Sequence, residues 1–578
     1  MQRYTLPVFV ILAAVLRLAA LDAAPPPLYQ DEASRGYDAW CILETGADRH
    51  GQKRPFFLES FGEGDWTAAL TTYLTVPFVA VLGANEWSIR LPDAILGVLT
   101  VLMLHGYLRR RLGNGAATAG TLILATDPWH ISLCRTGHES GFAPFFLMVG
   151  LLALEHSGLL ADERVDRTSD GDLQQDFHSN SLHSARTCWA AVAGVFLALH
   201  TWVYPATRFF TPLFLIALCL IYGRAWHRDK LARKRLMAAS LGLVVGAIPL
   251  WWTALTHPER LAARARVTLF AQEQLALSQK ISMLAANFAS NLSPRYFYLR
   301  FDELSGTDLD GIGLHLLVTA PLFVVGLILT FAGVRQHRWN RLLVAWLLLY
   351  PLPAVICADW NPHSFRTVAG VLWYPIIAAM GWQGLKIRLN ADTTARNMTR
   401  LRAAALAAFA LNTAYFVDVY FRRMPRELEI GYQTQLVRAM QYVGRHQQDA
   451  DFILVTRWFN QPYIYALLYA PIPPRELVDL PKLGGPDLLG FHQINRIGKY
   501  YFPPREPEKT PELTAAFLSA FNQLPPDAEG LVIELAGRFG AGRIEATFPV
   551  NASRPDTPAL EVRRWRRSDD PTPTSPPP

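Results

Sequence analysis

Long apolar stretches alternate with short polar loops through most of the first 420 residues of the chain. Most stretches are roughly 17 to 22 residues long, which as helices is enough to cross about 30 Å of hydrocarbon. The pattern predicts a mainly α, polytopic membrane protein with about eleven transmembrane helices. The predicted spans are residues 4–21, 91–108, 116–133, 142–154, 189–203, 209–222, 236–255, 314–334, 342–358, 368–382 and 403–420.

Basic residues set the predicted orientation, because Lys and Arg concentrate in the cytoplasmic loops of membrane proteins. They cluster here in four loops, 109–111, 224–235, 335–341 and 386–388. The predicted spans put all four on one side. The apolar run 67–82 is predicted to lie along the outer interface, since another crossing there would move the first basic cluster outside. Arg17 inside the first span favours an uncleaved anchor over a signal peptide.

Composition agrees with a membrane protein, with 51% hydrophobic and only 18% charged residues. The net charge of +7 does not indicate a nucleic-acid partner, because the basic residues lie in separate short loops rather than on one face. The five cysteines are far apart and show no CxxC spacing. They therefore predict neither a metal site nor a disulfide framework.

The pattern changes after Arg422, where apolar spans give way to shorter amphipathic segments. An amphipathic helix is predicted at 427–445 and buried strands at 451–456, 530–535 and 544–550. We therefore divide the chain into three parts: a transmembrane module at 1–422, a small extracytoplasmic α/β domain at 423–565 and a disordered Pro-rich tail at 566–578. The sequence contains no Gly-rich phosphate loop.

Two adjacent acids, Asp31 and Glu32, follow the first span by about ten residues and so lie close to the membrane surface. Carboxylates at this position suit a reaction in which a hydroxyl or an amine loses a proton while a phosphate leaves. The alternative is a solvated loop with two ordinary charges. Spacing alone does not decide between them.

Three segments carry a resemblance to a known family: YQDEASRGYDAW from residue 29, YLTVPFVAVLGANEW from residue 73 and ATDPWHISLCRTGHESGFAPFF from residue 125. They resemble the bacterial family related to protein O-mannosyltransferases and to the aminoarabinose transferase of lipid A. These are membrane glycosyltransferases of the type C fold. The resemblance extends over about residues 1–422 and is densest in the first 160.

The resemblance implies a glycosyltransferase that uses a sugar on a polyprenyl phosphate. It implies that Asp31 is the general base or acceptor-positioning carboxylate, with Glu32 beside it, and that Glu139 belongs to a second acidic site. His138 and Arg135 would bind substrate in the same loop, where the alternative is snorkelling at the interface. Transfer would invert the anomeric centre at the outer face of the plasma (inner) membrane, to a lipid, protein or polysaccharide acceptor.

Two more loops carry cations beside the membrane, one with Tyr204 and Arg208 and one with His363 and Arg366. A leaving polyprenyl phosphate needs a fixed positive partner, and guanidinium offers bidentate geometry. The second loop resembles the family's Pro-His-x-x-Arg segment. Snorkelling at a helix end remains the alternative for each cation.

One departure from the family lies at residues 64–70. Relatives often carry a Lys-Pro-Pro-Leu segment at the start of the interfacial helix, whereas this chain reads GDWTAAL from residue 64. The missing lysine keeps open a catalytically inactive relative that acts as a binding partner. A polyprenyl-linked glycan transporter or flippase is the other alternative, although transporters usually place ionisable groups at mid-membrane.

Some superfamily branches use a divalent metal. The closer relatives do not require one, so no cofactor is predicted.

Overall fold

The computed structural model describes most of the chain. The described residues are 2–62, 65–161, 176–269, 275–300, 311–358, 360–392, 395–477, 480, 482–483, 491–504, 511–549 and 559–569. Most of the predicted disordered tail, from residue 570 onward, lies outside them. The prediction of its disorder therefore stays a prediction.

Residues up to 418 form a bundle of helices with one short hairpin of strands. The helices are α1 Gln2–Leu18, α2 Gln30–Thr45, α3 Ala69–Leu82, α4 Glu86–Ala125, α5 Pro128–Arg135, α6 Ala143–Ser157, α7 Asp176–Val203, α8 Pro205–Arg228, α9 Lys230–Gly246, α10 Ile248–Thr256, α11 Pro258–Thr268, α12 Leu277–Asn291, α13 Pro294–Tyr298, α14 Ala320–Ala332, α15 Arg338–Leu349, α16 Leu352–Val355, α17 Gly370–Asp392 and α18 Ala395–Asp418. The strands β1 Phe57–Gly62 and β2 Asp65–Ala68 pair antiparallel between α2 and α3.

Several of these helices are suited to a bilayer, as the apolar runs predict. By length and hydropathy, four helices of the described chain are able to cross a membrane: Glu86–Ala125, Glu139–Ser157, Pro205–Arg228 and Asn397–Glu427. The pair α9 and α10, bent by 50°, would make a fifth. The chain is a multi-pass membrane protein, and the predicted number of about eleven spans stays a prediction.

The long helix α4 is two packed segments rather than one rod. Gly113 within it has φ 80° and ψ 174°, a conformation that breaks a helix and that glycine adopts without strain. After this break the chain doubles back, so that His105 Nδ1 lies 3.0 Å from the hydroxyl of Thr121. The two segments correspond to the predicted spans 91–108 and 116–133.

Helix α3 has 14 residues, and at a rise of 1.5 Å per residue it is about 21 Å long. This is less than the roughly 30 Å of a hydrocarbon core. Its buried side chains include Thr71, Thr72 and Thr75, which face the protein. The length agrees with the predicted position along the interface.

The chain from residue 424 onward folds around a mixed sheet. Its helices are α19 Met424–Glu427, α20 Thr434–His446, α21 Pro462–Tyr469 and α22 Pro511–Phe521, and its strands are β3 Phe452–Val455, β4 Lys482–Leu483, β5 Gln493–Ile494, β6 Arg496–Ile497, β7 Tyr500–Tyr501, β8 Glu529–Leu535, β9 Arg543–Phe548 and β10 Leu560–Arg566. Six strands pair in the order β6-β7-β3-β8-β10-β9, with β3 parallel to both of its neighbours. The predicted α/β character and the strands at 451–456 and 530–535 are confirmed. The amphipathic helix begins at Thr434 rather than at 427, because a separate turn of helix, α19, precedes it.

Candidate active site

A cavity of about 910 Å³ is lined by both the helical bundle and the C-terminal sheet region. The bundle contributes α2, β2, the loop before α6, the first turn of α8, α11 and the loop at 360–366. The C-terminal part contributes two loops, at 430–433 and 458–460. Most of the predicted site residues line this cavity, namely Asp31, His138, Glu139, Tyr204, Arg208, His363 and Arg366.

Asp31 lies in the first turn of α2 and points into the cavity. The helix begins at Gln30, and the carboxylate of Glu32 accepts a hydrogen bond from the Tyr29 amide at 3.1 Å, which fixes this turn. Burial raises the pKa of Asp31 well above its usual value, and the nearby carboxylates of Asp65 and Glu139 raise it further. A carboxyl with a raised pKa suits a general base.

Glu32 lies outside the cavity, in a buried ion pair with Arg90 of α4. The Arg90 Nε donates to one carboxylate oxygen at 2.7 Å and an Nη donates to the other at 2.9 Å. The same carboxylate accepts the Gly137 amide at 2.6 Å. The structure therefore does not support the predicted catalytic role of Glu32. Its carboxylate ties α2 to α4 and to the loop that carries Glu139.

This loop, residues 136–142, places His138 and Glu139 at the cavity wall. The His138 Nδ1 lies 3.1 Å from the Ser140 amide nitrogen and 2.7 Å from the Ser140 hydroxyl, and Nε2 lies 3.7 Å from the Glu139 carboxylate. The imidazole stacks on Phe365 with ring centroids 4.4 Å apart and meets the edge of Tyr204 at 5.3 Å. Burial lowers the pKa of His138. A neutral imidazole in this position shapes the cavity and supplies a hydrogen-bond donor.

Arg208 and Arg264 are two of the cations that line the cavity. The Arg208 guanidinium lies over the Phe57 ring, 4.9 Å from its centroid. Its Nε and one Nη are buried without a hydrogen-bond partner among the described residues, and the same is true of one Nη of Arg264. Buried N–H groups without an acceptor are costly. Arg208 also lies in the first turn of α8, where the helix dipole favours an anion. Together these features form an anion-binding site.

The loop at 360–366 brings His363 and Arg366 to the same cavity, and both are largely buried. The His363 amide donates to the Asn291 side-chain oxygen at 3.1 Å, which anchors the loop to α12. Burial lowers the pKa of His363, and the charge of Arg366 lowers it further. His363 is therefore neutral near pH 7, and Arg366 carries the positive charge of this loop.

Arg135 is fully buried outside the cavity, which corrects its predicted role in substrate binding. Its guanidinium donates to the backbone carbonyls of Leu16, Ala20 and Ala24 at 2.5 to 3.1 Å. It also lies 4.6 Å from the centroid of the Phe421 ring. Arg135 thus holds the C-terminal end of α1 against the end of α5.

Four charged residues of the cavity, Arg35, Asp38, Asp65 and Arg264, were not predicted as site residues. Burial raises the pKa of Asp65, whereas the nearby Arg264 opposes that shift. The sequence marked Asp65 only as part of the segment 64–70 that departs from the family pattern. Arg264 lies on α11 with no motif around it, so no signal in the sequence identified it.

Among the described residues, no group of three His, Cys, Asp or Glu side chains could hold a metal ion. The absence of a required cofactor stays a prediction.

Comparison with known proteins finds a family match over one segment of the chain. Residues 66–157 match the family described as dolichyl-phosphate-mannose-protein mannosyltransferase. Two relatives come from Bacillus subtilis (strain 168). "Putative mannosyltransferase YycA" is 24% identical over 144 residues, which cover 24% of this chain and 20% of the relative. "Putative mannosyltransferase YkcB" is 29% identical over 69 residues, which cover 12% of this chain and 10% of the relative. The matches thus span a fifth or less of these relatives.

The fold matches over nearly the whole chain. The crystal structure of ArnT from Cupriavidus metallidurans bound to undecaprenyl phosphate aligns with a TM-score of 0.52 and 13% identity, covering 96% of this chain and 97% of ArnT. Its apo state aligns with a TM-score of 0.51 and 12% identity, covering 98% and 99%. The predicted type C fold is confirmed.

Proposed function

We propose that this chain, which has the type C membrane glycosyltransferase fold, transfers a sugar from a polyprenyl phosphate to an acceptor at the outer face of the plasma membrane. One observation carries the proposal. The side chains of Asp31, Arg208 and Arg264 line a single cavity, and N–H groups of both guanidiniums have no hydrogen-bond partner among the described residues. These are the two kinds of group that the reaction needs, a base for the acceptor and a cation for the leaving phosphate.

In this reaction Asp31 accepts the proton of an acceptor hydroxyl. The freed oxygen forms a bond to the anomeric carbon of the donor sugar, on the side opposite the phosphate. The bond between that carbon and the phosphate oxygen breaks, and the polyprenyl phosphate leaves with the electron pair. The anomeric configuration is inverted, and the extra negative charge on the phosphate is what the guanidinium groups stabilise.

Three features of the cavity lining support the binding of a phosphate. The N–H groups of Arg208 and Arg264 need an acceptor. The N-terminus of α8 adds the positive end of a helix dipole. Arg366 contributes a third guanidinium. These cations supply the positive charge that the absent lysine of the family's Lys-Pro-Pro-Leu segment would provide. The proposal of a polyprenyl-phosphate sugar as donor also rests on the family match and on ArnT, whose crystal structure contains undecaprenyl phosphate.

Convergence of Asp31 and Glu139 on a cavity separates an enzyme from an inactive relative. Both residues line the cavity, and the charge of Glu139 affects the pKa of Asp31. An inactive binding partner has no need of a base with a raised pKa. This arrangement therefore favours a transferase over a catalytically inactive binding partner.

The test is transfer by the purified chain reconstituted in lipid. Radiolabelled polyprenyl-phosphate sugars of several kinds are supplied with membrane extract as acceptor. We expect the wild type to transfer label and Asp31→Asn to lose at least about 99% of the rate, because general base catalysis contributes about 10² to 10⁴. If neither protein transfers label but both bind polyprenyl phosphate, the transferase reading is wrong and transport takes its place. Equal transfer by the two proteins removes Asp31 as the base.

A further inference from the structure

The cavity has two chemically different halves. The helical bundle supplies the charged groups, among them Asp31, Glu139, Arg208 and Arg264. The described residues from 430 onward contribute glycine, aliphatic, aromatic and carboxamide groups to the lining, and none of these is charged. Phosphate departure and proton transfer use the charged half. The neutral half is available to hold another part of the reactants.

Trp458 and Asn460 come from the loop that follows β3. Because β3 is parallel to both of its neighbours, this loop leaves the carboxyl end of a parallel strand, which is where α/β folds bind ligands. The Trp458 side chain is 44% exposed, and the Arg538 guanidinium lies 4.8 Å from its ring centroid. That contact orients the indole, so the loop presents a fixed aromatic surface to the cavity.

Gln433 adds a carboxamide from the second loop. Only 7% of this residue is exposed, and its side-chain nitrogen donates to the Tyr465 hydroxyl at 3.2 Å. Its side-chain oxygen is buried and accepts no hydrogen bond from the described part of the chain. Gln433 has φ 53° and Gln461, directly after Asn460, has φ 46°. Residues with a Cβ rarely adopt this region, and such strain concentrates at ligand sites.

We propose that Trp458, Asn460 and Gln433 form a saccharide-binding subsite, so that the acceptor of the proposed transfer is itself a carbohydrate. A sugar ring has an apolar face that packs on an aromatic ring and hydroxyl groups that pair with carboxamides. A peptide acceptor would be expected to meet exposed strand edges or charged groups. The inference rests on the proposed transferase function, and it names the acceptor class that the charged half leaves undefined.

The experiment measures saccharide binding directly, without donor and without transfer. The full chain is held in lipid nanodiscs, so that no glycoside detergent competes. Saturation-transfer difference NMR then follows soluble linear oligomers of glucose, mannose and N-acetylglucosamine up to about 10 mM. A Ser/Thr-rich peptide of similar size is the competing ligand. The variants are Trp458→Ala, Trp458→Phe and Gln433→Met. Trp87→Ala is the matched control, since Trp87 is 38% exposed and lies outside the cavity lining.

We expect at least one oligosaccharide to bind. Trp458→Ala should weaken its binding about tenfold, which is the contribution of one aromatic stack. Trp458→Phe should retain most of the affinity, Gln433→Met should lose about fivefold, and Trp87→Ala should bind as the wild type does. Thermal unfolding of each variant shows whether it is folded.

Binding of no oligosaccharide, unchanged binding by Trp458→Ala, or binding of the peptide alone would each overturn the subsite. If the protein binds saccharides but transfers no sugar, the proposed subsite is supported and the proposed transferase function is wrong.

Discussion

The adjacent acids Asp31 and Glu32 should respond to neutral substitution in opposite ways. Asp31 faces the cavity, and no hydrogen bond or ion pair to its carboxylate is found among the described residues. Glu32 is fully buried and paired with Arg90. Asp31→Asn should therefore abolish transfer without loss of stability. Glu32→Gln should destabilise the protein, and it should reduce transfer only through the loop that Glu32 holds.

The cost of Glu32→Gln follows from the contacts of Arg90. Its two bonds to Glu32 and three further bonds to the carbonyls of Leu21, Pro25 and Pro26 use all five N–H donors of the guanidinium. Removing one partner of a buried ion pair costs about 3 to 5 kcal/mol, since the other charge is left unpaired. The amide oxygen of Gln keeps one acceptor. We therefore expect about 3 kcal/mol, and a double variant with Arg90→Met should recover part of that loss.

Neutral substitution of Asp31 should change stability in the opposite direction. Its pKa in the folded protein is raised above 3.8, so the folded protein binds more protons than the unfolded chain as pH rises above that value. Stability then falls with pH, by about 1.4 kcal/mol per pH unit, until the folded pKa is reached. Asp31→Asn removes this penalty. The variant should be more stable than the wild type at pH 8, by a larger margin than at pH 5.

The assay is thermal unfolding of the purified proteins at pH 5 and pH 8, together with transfer at pH 8. Glu32→Gln should lower the unfolding midpoint by about 2 to 3 °C, and Asp31→Asn should not lower it. If Asp31→Asn destabilises the protein at pH 8 as much as Glu32→Gln does, the two acids share a structural role. Asp31 would then not be the reactive group.

Three further predictions concern the cavity. The transfer rate should fall on acidification through the raised pKa of Asp31, so the acid limb of a pH–rate profile should lie above the range of an exposed aspartate; a limb near pH 4 would contradict this. Arg264→Met should weaken polyprenyl phosphate binding about tenfold in a binding assay. Arg260→Met on the same helix should not weaken this binding. Arg260 packs over the ring of Trp66 but does not itself line the cavity. In steady-state kinetics Gly137→Ala should lower kcat about tenfold with little change in donor KM, because its Cβ would meet the Glu32 carboxylate at 3.1 Å and displace the loop; an unchanged kcat would refute this.

The sequence was sufficient for the membrane class and the α/β character of the C-terminal part. These follow from the length of apolar runs and from motifs carried on short segments. It was not sufficient to separate Asp31 from Glu32, which are neighbours in the chain. In a helix, adjacent residues point about 100° apart, and the choice of face depends on Arg90, 58 positions away.

The same reason explains the misjudged Arg135 and the missed Arg264. Both are arginines beside apolar sequence, and nothing local distinguishes a guanidinium that caps backbone carbonyls from one that faces a cavity. Arg135 finds the carbonyls of Leu16, Ala20 and Ala24 because α1 ends beside α5. Arg264 faces the cavity because α11 packs on β2. Such pairings are tertiary and leave no periodic signal in the sequence.

Asp65 adds a buried carboxylate to the cavity. Burial raises its pKa, and the nearby Arg264 opposes that shift. The negative charge of Asp65 would weaken the binding of an anion unless a cation lay near it. Arg264 of α11 supplies that cation. Asp31 and Asp65 share this cavity with the guanidinium groups of Arg35, Arg208, Arg264 and Arg366, which come from four separate elements. Carboxylates that can take a proton and guanidinium groups that can hold a phosphate are what the proposed transfer requires.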